Sequence, residues 1–86
     1  MNTWIEYTSG DGGIISGWWD ATPDTYHATY AALEFVHMIE GRIVITPEGS
    51  SPVEVGSGDA FVIEADFNGV REIKEKVLKH FAIKPK

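Results

Sequence analysis

Cysteine is absent from this 86-residue chain, and its absence removes several kinds of chemistry. Disulfides, thiolate-bound zinc, iron–sulfur clusters and thiol catalysis all require it. Long apolar runs are missing too, since none approaches the ~18 residues that a membrane-spanning helix needs. Residues 1–7 have neither a basic start nor an apolar core, so we expect no secretory signal and a cytoplasmic protein.

Basic residues are scarce through most of the chain. The net charge is −6, from 13 acids and 7 bases, and Arg42 is the only lysine or arginine before residue 71. An acidic surface repels phosphate backbones and anionic lipids, so we expect neither nucleic acid nor a membrane as a partner. The basic end of the chain is expected to lie against acidic strands.

The length suits one small domain, which we assign to residues 1–86. A domain of this size buries roughly 60–65% of its unfolded surface, so its core alone gives limited stability. Because disulfides are excluded, the remaining supports are a metal bound by histidine and carboxylate, or a partner chain.

Short β-rich segments alternate with turn residues and predict an all-β sandwich or barrel. The predicted strands are residues 4–7, 14–21, 26–30, 34–39, 43–46, 53–55, 60–63 and 70–83. Segments 34–39 and 43–46 are predicted to form a hairpin, with the tight connection at Glu40 and Gly41. The last segment also allows an amphipathic helix, because its apolar residues between Val70 and Phe81 recur mostly three or four positions apart.

Two motifs in this order resemble the cupin superfamily. Glu34 and Gly41 have the spacing that ends the first cupin motif, and Gly58 and Asp59 open an apolar strand as the second motif does. Residues 16–23 and 77–81 resemble the small cupins grouped with ureidoglycine aminohydrolase and the ethanolamine-utilisation proteins. The resemblance implies a double-stranded β-helix, the jelly-roll barrel of cupins, and a strand rather than a helix near the end.

The metal-ligand pattern of metal-binding cupins is largely missing. Of the usual four ligands, Glu34 is present and His27 is one further candidate, while Gly69 stands where the second-motif histidine would be. A divalent site needs at least three ligands that face one another. We therefore expect no obligatory metal; the alternative is manganese, iron, nickel or zinc bound by Glu34 and His27.

Glu34 and Lys79 are the most informative polar residues. The resemblance places the Glu34 face of its strand inside the barrel, where a carboxylate needs hydrogen bonds, a cation or a proton. Lys79 alternates with Val77, Phe81 and Ile83, so it either faces inward or belongs to a solvated face opposite. If both point inward, the pair forms a polar centre suited to a small carboxylate or amine.

Aromatic residues suggest both a pocket and an interface. Trp18 and Trp19 are adjacent, so one must line the barrel and the other must face out, which favours a homodimer. Family position makes Tyr30, Met38, Phe61 and Phe67 candidates for lining the pocket mouth with Glu34 and Lys79.

These observations leave three functions open. The first is a small cupin that binds a small organic ligand in its barrel. The second, implied by the resemblance to ureidoglycine aminohydrolase, is a metal-assisted enzyme acting on a small nitrogen-containing metabolite. The third is a module whose outer sheet binds another protein.

Overall fold

A computed structural model describes residues 1–85 and contains only strands as regular elements. The strands are β1 (Asn2–Thr8), β2 (Ile15–Ala21), β3 (Asp24–Thr29), β4 (Leu33–Pro47), β5 (Val53–Gly56), β6 (Ala60–Ile63) and β7 (Asn68–Lys84). Lys86, one of the seven bases, lies outside the described residues. Within residues 1–85, no helix has the length and apolar character needed to cross a bilayer.

The two longest strands, β4 and β7, pair antiparallel along almost their whole length and organise the sheet. The first half of β4 also pairs with β6, and its second half pairs with β5. The last half of β7 pairs with β2, which carries β1 on its other side, while the first half of β7 pairs with β3. The all-β jelly-roll architecture is confirmed, and the helical alternative near the end of the chain is wrong.

The predicted hairpin at Glu40 and Gly41 is also wrong, because β4 continues through both residues. The register with β7 shifts between Met38 and Ile43, so Gly41 lies in a β-bulge where the paired strands bend. Its φ is +97°, and a Cβ there would come within 2.2 Å of the Lys76 carbonyl oxygen. The glycine therefore serves a bend between two long strands rather than a two-strand turn.

The inner face of the curved sheet holds a small apolar core. Its most deeply buried side chains are Val36, Met38, Ile43 and Val77. Inward residues alternate with exposed ones along β4 and β7, as expected for a sheet with one covered face. Three charged residues interrupt this core, and they define the site described next.

Candidate ligand-binding site

A cavity of about 340 Å³ opens on the inner side of the sheet. Five strands (β1, β2, β3, β4 and β7) line it, together with Met1 and Tyr30; the lining residues are Met1, Thr3, Trp19, Tyr26, Ala28, Thr29, Tyr30, Glu34, Arg71, Lys79, Phe81 and Ile83. Three charged residues among them, Glu34, Arg71 and Lys79, are only 4%, 3% and 3% exposed. Burial of three charges in so small a domain is costly unless they compensate one another or bind a ligand.

Glu34 and Lys79 form a buried ion pair, as the inward alternative required. The amino group of Lys79 donates to Oε2 of Glu34 across 3.3 Å. Burial lowers the pKa of Lys79 to about 8, since desolvation and the nearby Arg71 outweigh the opposing effect of Glu34. The ammonium also lies 4.8 Å from the centre of the Trp19 ring, which favours the charged form.

Arg71 is held in one orientation by an aromatic surround. Its Nη1 donates to the hydroxyl of Tyr30, and the rings of Trp19, Tyr26 and Tyr30 lie 5.7–5.9 Å from its guanidinium carbon. Nε and Nη2 are buried and have no hydrogen-bond partner within residues 1–85. These two nitrogens form one edge of the guanidinium plane, which we call the open edge of Arg71.

The two tyrosines of the cavity are neutral at physiological pH. Burial raises the pKa of both Tyr26 and Tyr30; the charge of Arg71 opposes this rise, and the charge of Glu34 adds to it. Tyr30 also packs edge-on against Phe67, with ring centres 5.6 Å apart. Neither phenol therefore supplies a negative charge to balance Arg71 and Lys79.

The charges of the cavity do not balance. Among residues 1–85, Arg71 and Lys79 are the buried cations and Glu34 is the buried carboxylate. Oε1 of Glu34 likewise has no hydrogen-bond partner in the described chain. An excess positive charge therefore lines the cavity, and two donors of one of its cations lack a partner, an arrangement that favours an anion able to accept two parallel hydrogen bonds.

The structure brings together half of the residues that the sequence assigned to the pocket. Tyr30, Glu34 and Lys79 line this cavity. Met38 instead lies in the core, so it does not border the cavity. Phe61 and Phe67 line a different, mainly apolar cavity of about 440 Å³, so the structure does not bring them together with the three charged residues.

The structure does not bring together Glu34 and His27, the two residues of the alternative metal site. On β3, Tyr26 and Ala28 face inward, so His27 is exposed on the opposite face, away from Glu34. The described residues contain no cluster of three histidine, aspartate or glutamate side chains that could bind a metal ion. The cavity offers one carboxylate beside two cations, a donor set that repels a divalent cation and does not fit the metal of metal-binding cupins.

Arg71 and Tyr26 are cavity residues that the sequence did not single out, and the choice between Trp18 and Trp19 was left open. Inward residues of β7 occupy odd positions from Gly69 to Ile73 and again from Val77 to Phe81. The alternation that makes Lys79 inward therefore continues on the other side of exposed residues 74–76, and there it makes Arg71 inward as well. Trp19 is the inward member of the tryptophan pair, and Trp18 faces out, stacked 4.4 Å from His80.

Comparison with solved structures gives the same fold. The putative ethanolamine utilization protein EutQ of Salmonella typhimurium superimposes with a TM-score of 0.83 at 18% identity, over 96% of this chain and 68% of that one. EutQ of Clostridium difficile superimposes with a TM-score of 0.83 at 18% identity, over 96% of this chain and 66% of that one. A cupin superfamily protein of Desulfitobacterium hafniense superimposes with a TM-score of 0.79 at 11% identity, over 99% of this chain and 77% of that one. The chain thus spans about two thirds of both EutQ proteins.

The family comparison covers most of the sequence. No functionally curated protein matches the chain. The family model described as the EutQ-like cupin domain matches residues 8–81, which include the three buried charges and the bend at Gly41. The chain therefore belongs to the family of EutQ-like cupin domains.

Proposed function

We propose that this cupin binds a small organic carboxylate in the cavity of Arg71 and Lys79, without an obligatory metal. The observation that carries the proposal is the open edge of Arg71, buried beside a second cation. The nearest compensating group, Glu34, is already paired with Lys79. A bound carboxylate would neutralise the excess charge and satisfy both open donors.

The geometry of the open edge favours a carboxylate over a spherical anion. Nε and Nη2 donate in parallel directions at a spacing that matches the two oxygens of a carboxylate. The hydrogen bond from Nη1 to Tyr30 fixes the guanidinium plane, so little conformational entropy is lost on binding. A volume of about 340 Å³ is at the small end of ligand pockets, which limits the ligand to a small molecule.

The rest of the cavity supports a ligand with a short apolar body and one hydrogen-bond donor. Trp19, Tyr26 and Phe81 offer apolar surface, and Oε1 of Glu34 offers an acceptor. A hydroxyl or amino group on the ligand would satisfy that acceptor. The metal-assisted enzyme gains no support, because its ligands would have to include His27 on the outer face.

The proposal is tested by calorimetric titration with a panel of small carboxylates, amines and neutral amides of equal size. We expect saturable binding of carboxylates alone. Arg71→Lys keeps a positive charge but removes the parallel donors, and should weaken binding at least tenfold, as loss of a charge-assisted hydrogen bond of about 1.5–3 kcal/mol implies. Arg42→Lys, at the other and exposed arginine, is the matched control and should bind as the wild type does. Equal affinity for carboxylates and amides, or undiminished binding by Arg71→Lys, would contradict the proposal.

A homodimer through the outer face of the β1–β2–β7–β4–β6 half of the sheet completes the proposal. This face exposes large apolar side chains, including Trp4, Phe35, Ile39 and Val62. In the register of the strands, Trp4, Trp18, His80, His37 and Ala60 form one row across it. A second copy of the chain would cover this surface and add the stability that a small core does not supply. A cytoplasmic setting stays a prediction from the sequence.

A further inference from the structure

Lys79 lines the same cavity as Arg71, whose open edge has no partner among residues 1–85. Both cations lie against the indole of Trp19, so one small molecule can reach both. We propose that Lys79 forms an imine with the carbonyl carbon of a 2-oxo acid whose carboxylate binds the open edge of Arg71. This inference rests on the proposed function and names its ligand class.

The surroundings of Lys79 make its amine available as a nucleophile. A lysine attacks a carbonyl only in its neutral form, which desolvation and a neighbouring cation both favour. Lys79 has both influences, since it is buried and Arg71 stands in the same cavity. With its pKa lowered to about 8, about one molecule in ten is neutral at pH 7, far more than for an exposed lysine.

Glu34 stands where the proton transfers of this reaction need a base. Its Oε2 is 3.3 Å from the attacking nitrogen and can take the proton of the ammonium. The neutral amine then adds to the carbonyl carbon, a proton moves from nitrogen to oxygen, and a carbinolamine results. Loss of one water forms the carbon–nitrogen double bond, and the proton on Glu34 returns to the imine nitrogen. Ammonium and carbonyl thus give iminium and water, with no oxidant or reductant.

The product keeps the charge pattern that the cavity already stabilises. An iminium at Lys79 remains a cation, so its pairing with Glu34 and its contact with the Trp19 ring are retained. The carboxylate of the ligand adds one negative charge beside Arg71. A 2-oxo acid therefore balances the cavity and engages both cations, whereas an aldehyde without a carboxylate engages only one.

Reductive trapping with pyruvate tests the inference. Protein, pyruvate and cyanoborohydride are incubated at pH 7.5, and intact mass and peptide mapping follow. We expect one adduct, heavier by a pyruvic acid less one oxygen atom, located at Lys79 and at least tenfold above labelling of exposed Lys76. Excess lactate, which has the carboxylate but no carbonyl, should suppress it.

Two variants separate the chemistry from the fold. Lys79→Arg keeps a cation beside Glu34 and should bind lactate but give no adduct, whereas Arg71→Lys should lose most of the adduct together with lactate binding. Lactate binding without any adduct, or label spread over exposed lysines, would overturn the imine and leave the proposed function intact. Failure of both lactate and pyruvate to bind would overturn the two together.

Discussion

The buried amine of Lys79 predicts an unusual rise of stability with pH. Its pKa is about 8 in the folded chain and 10.5 when it is exposed, mainly because burial penalises the ammonium. Below pH 8 the lysine is charged in both states, so folding must desolvate the charge. Between pH 8 and 10.5 the unfolded chain binds a proton that the folded chain has lost, and the free energy of unfolding rises with pH.

The size of this effect follows from the two pKa values. Integrated proton linkage gives a gain of about 2 kcal/mol between pH 8 and pH 10 from this one group. The raised pKa values of Tyr26 and Tyr30 act oppositely, but only once the unfolded tyrosines begin to lose protons near pH 10. The window from pH 8 to just below pH 10 therefore isolates Lys79.

Urea unfolding at several pH values in this window measures the effect. The wild type should gain about 2 kcal/mol relative to Lys79→Met, in which the titrating group is removed. Lys76→Met, at an exposed lysine of the same strand, should keep the wild-type pH dependence. Parallel curves for wild type and Lys79→Met would refute the claim that the amine is desolvated.

Three further predictions concern the buried pair, the bend and the outer face. Glu34→Gln leaves two buried cations without their carboxylate, so the free energy of unfolding measured in urea should fall by roughly 3 kcal/mol. Adding Lys79→Met should regain part of this loss, and additive losses from the two substitutions would contradict the pairing. Gly41→Ala should lower the free energy of unfolding by more than the ~1 kcal/mol expected for Gly49→Ala. Both glycines have a positive φ, but only at Gly41 would the added Cβ clash with the backbone of a neighbouring strand, so equal losses would contradict the bulge. Phe35→Asp places a charge on the proposed dimer face at a side chain that is 45% exposed, so light scattering should detect monomers with unchanged circular dichroism; dimers that persist would locate the interface elsewhere.

The fold could be predicted because its markers lie close together in the sequence. The spacing from Glu34 to Gly41 and the turn at Gly58 and Asp59 identify the cupin pattern, and the family comparison confirms it. The hairpin prediction failed at Gly41 because a bulge and a turn both require glycine. Only the distant partner of the bulge, Lys76 on β7, distinguishes them.

The site could be predicted only where strand alternation was unbroken. Alternation from Val77 to Ile83 allowed an inward Lys79. Arg71 has the same alternation, but exposed residues around Glu75 separate it from that stretch, so the sequence pattern did not extend to it. Phe61 and Phe67 were assigned to the pocket from family position alone, which does not show that their side chains line a second cavity. His27 lies on the face of β3 opposite Tyr26 and Ala28, an orientation that family spacing alone did not fix.

If the open edge of Arg71 receives a carboxylate, the Nε–H resonance of this arginine reports the binding directly. The chain has two arginines, so ¹⁵N-resolved spectra contain two such signals, and exposed Arg42 is an internal reference. We expect a saturable downfield shift of the Arg71 signal on addition of lactate, with no effect of equal chloride and little change at Arg42. An Arg71 signal that is unmoved by lactate, or that shifts in parallel with Arg42, would contradict it.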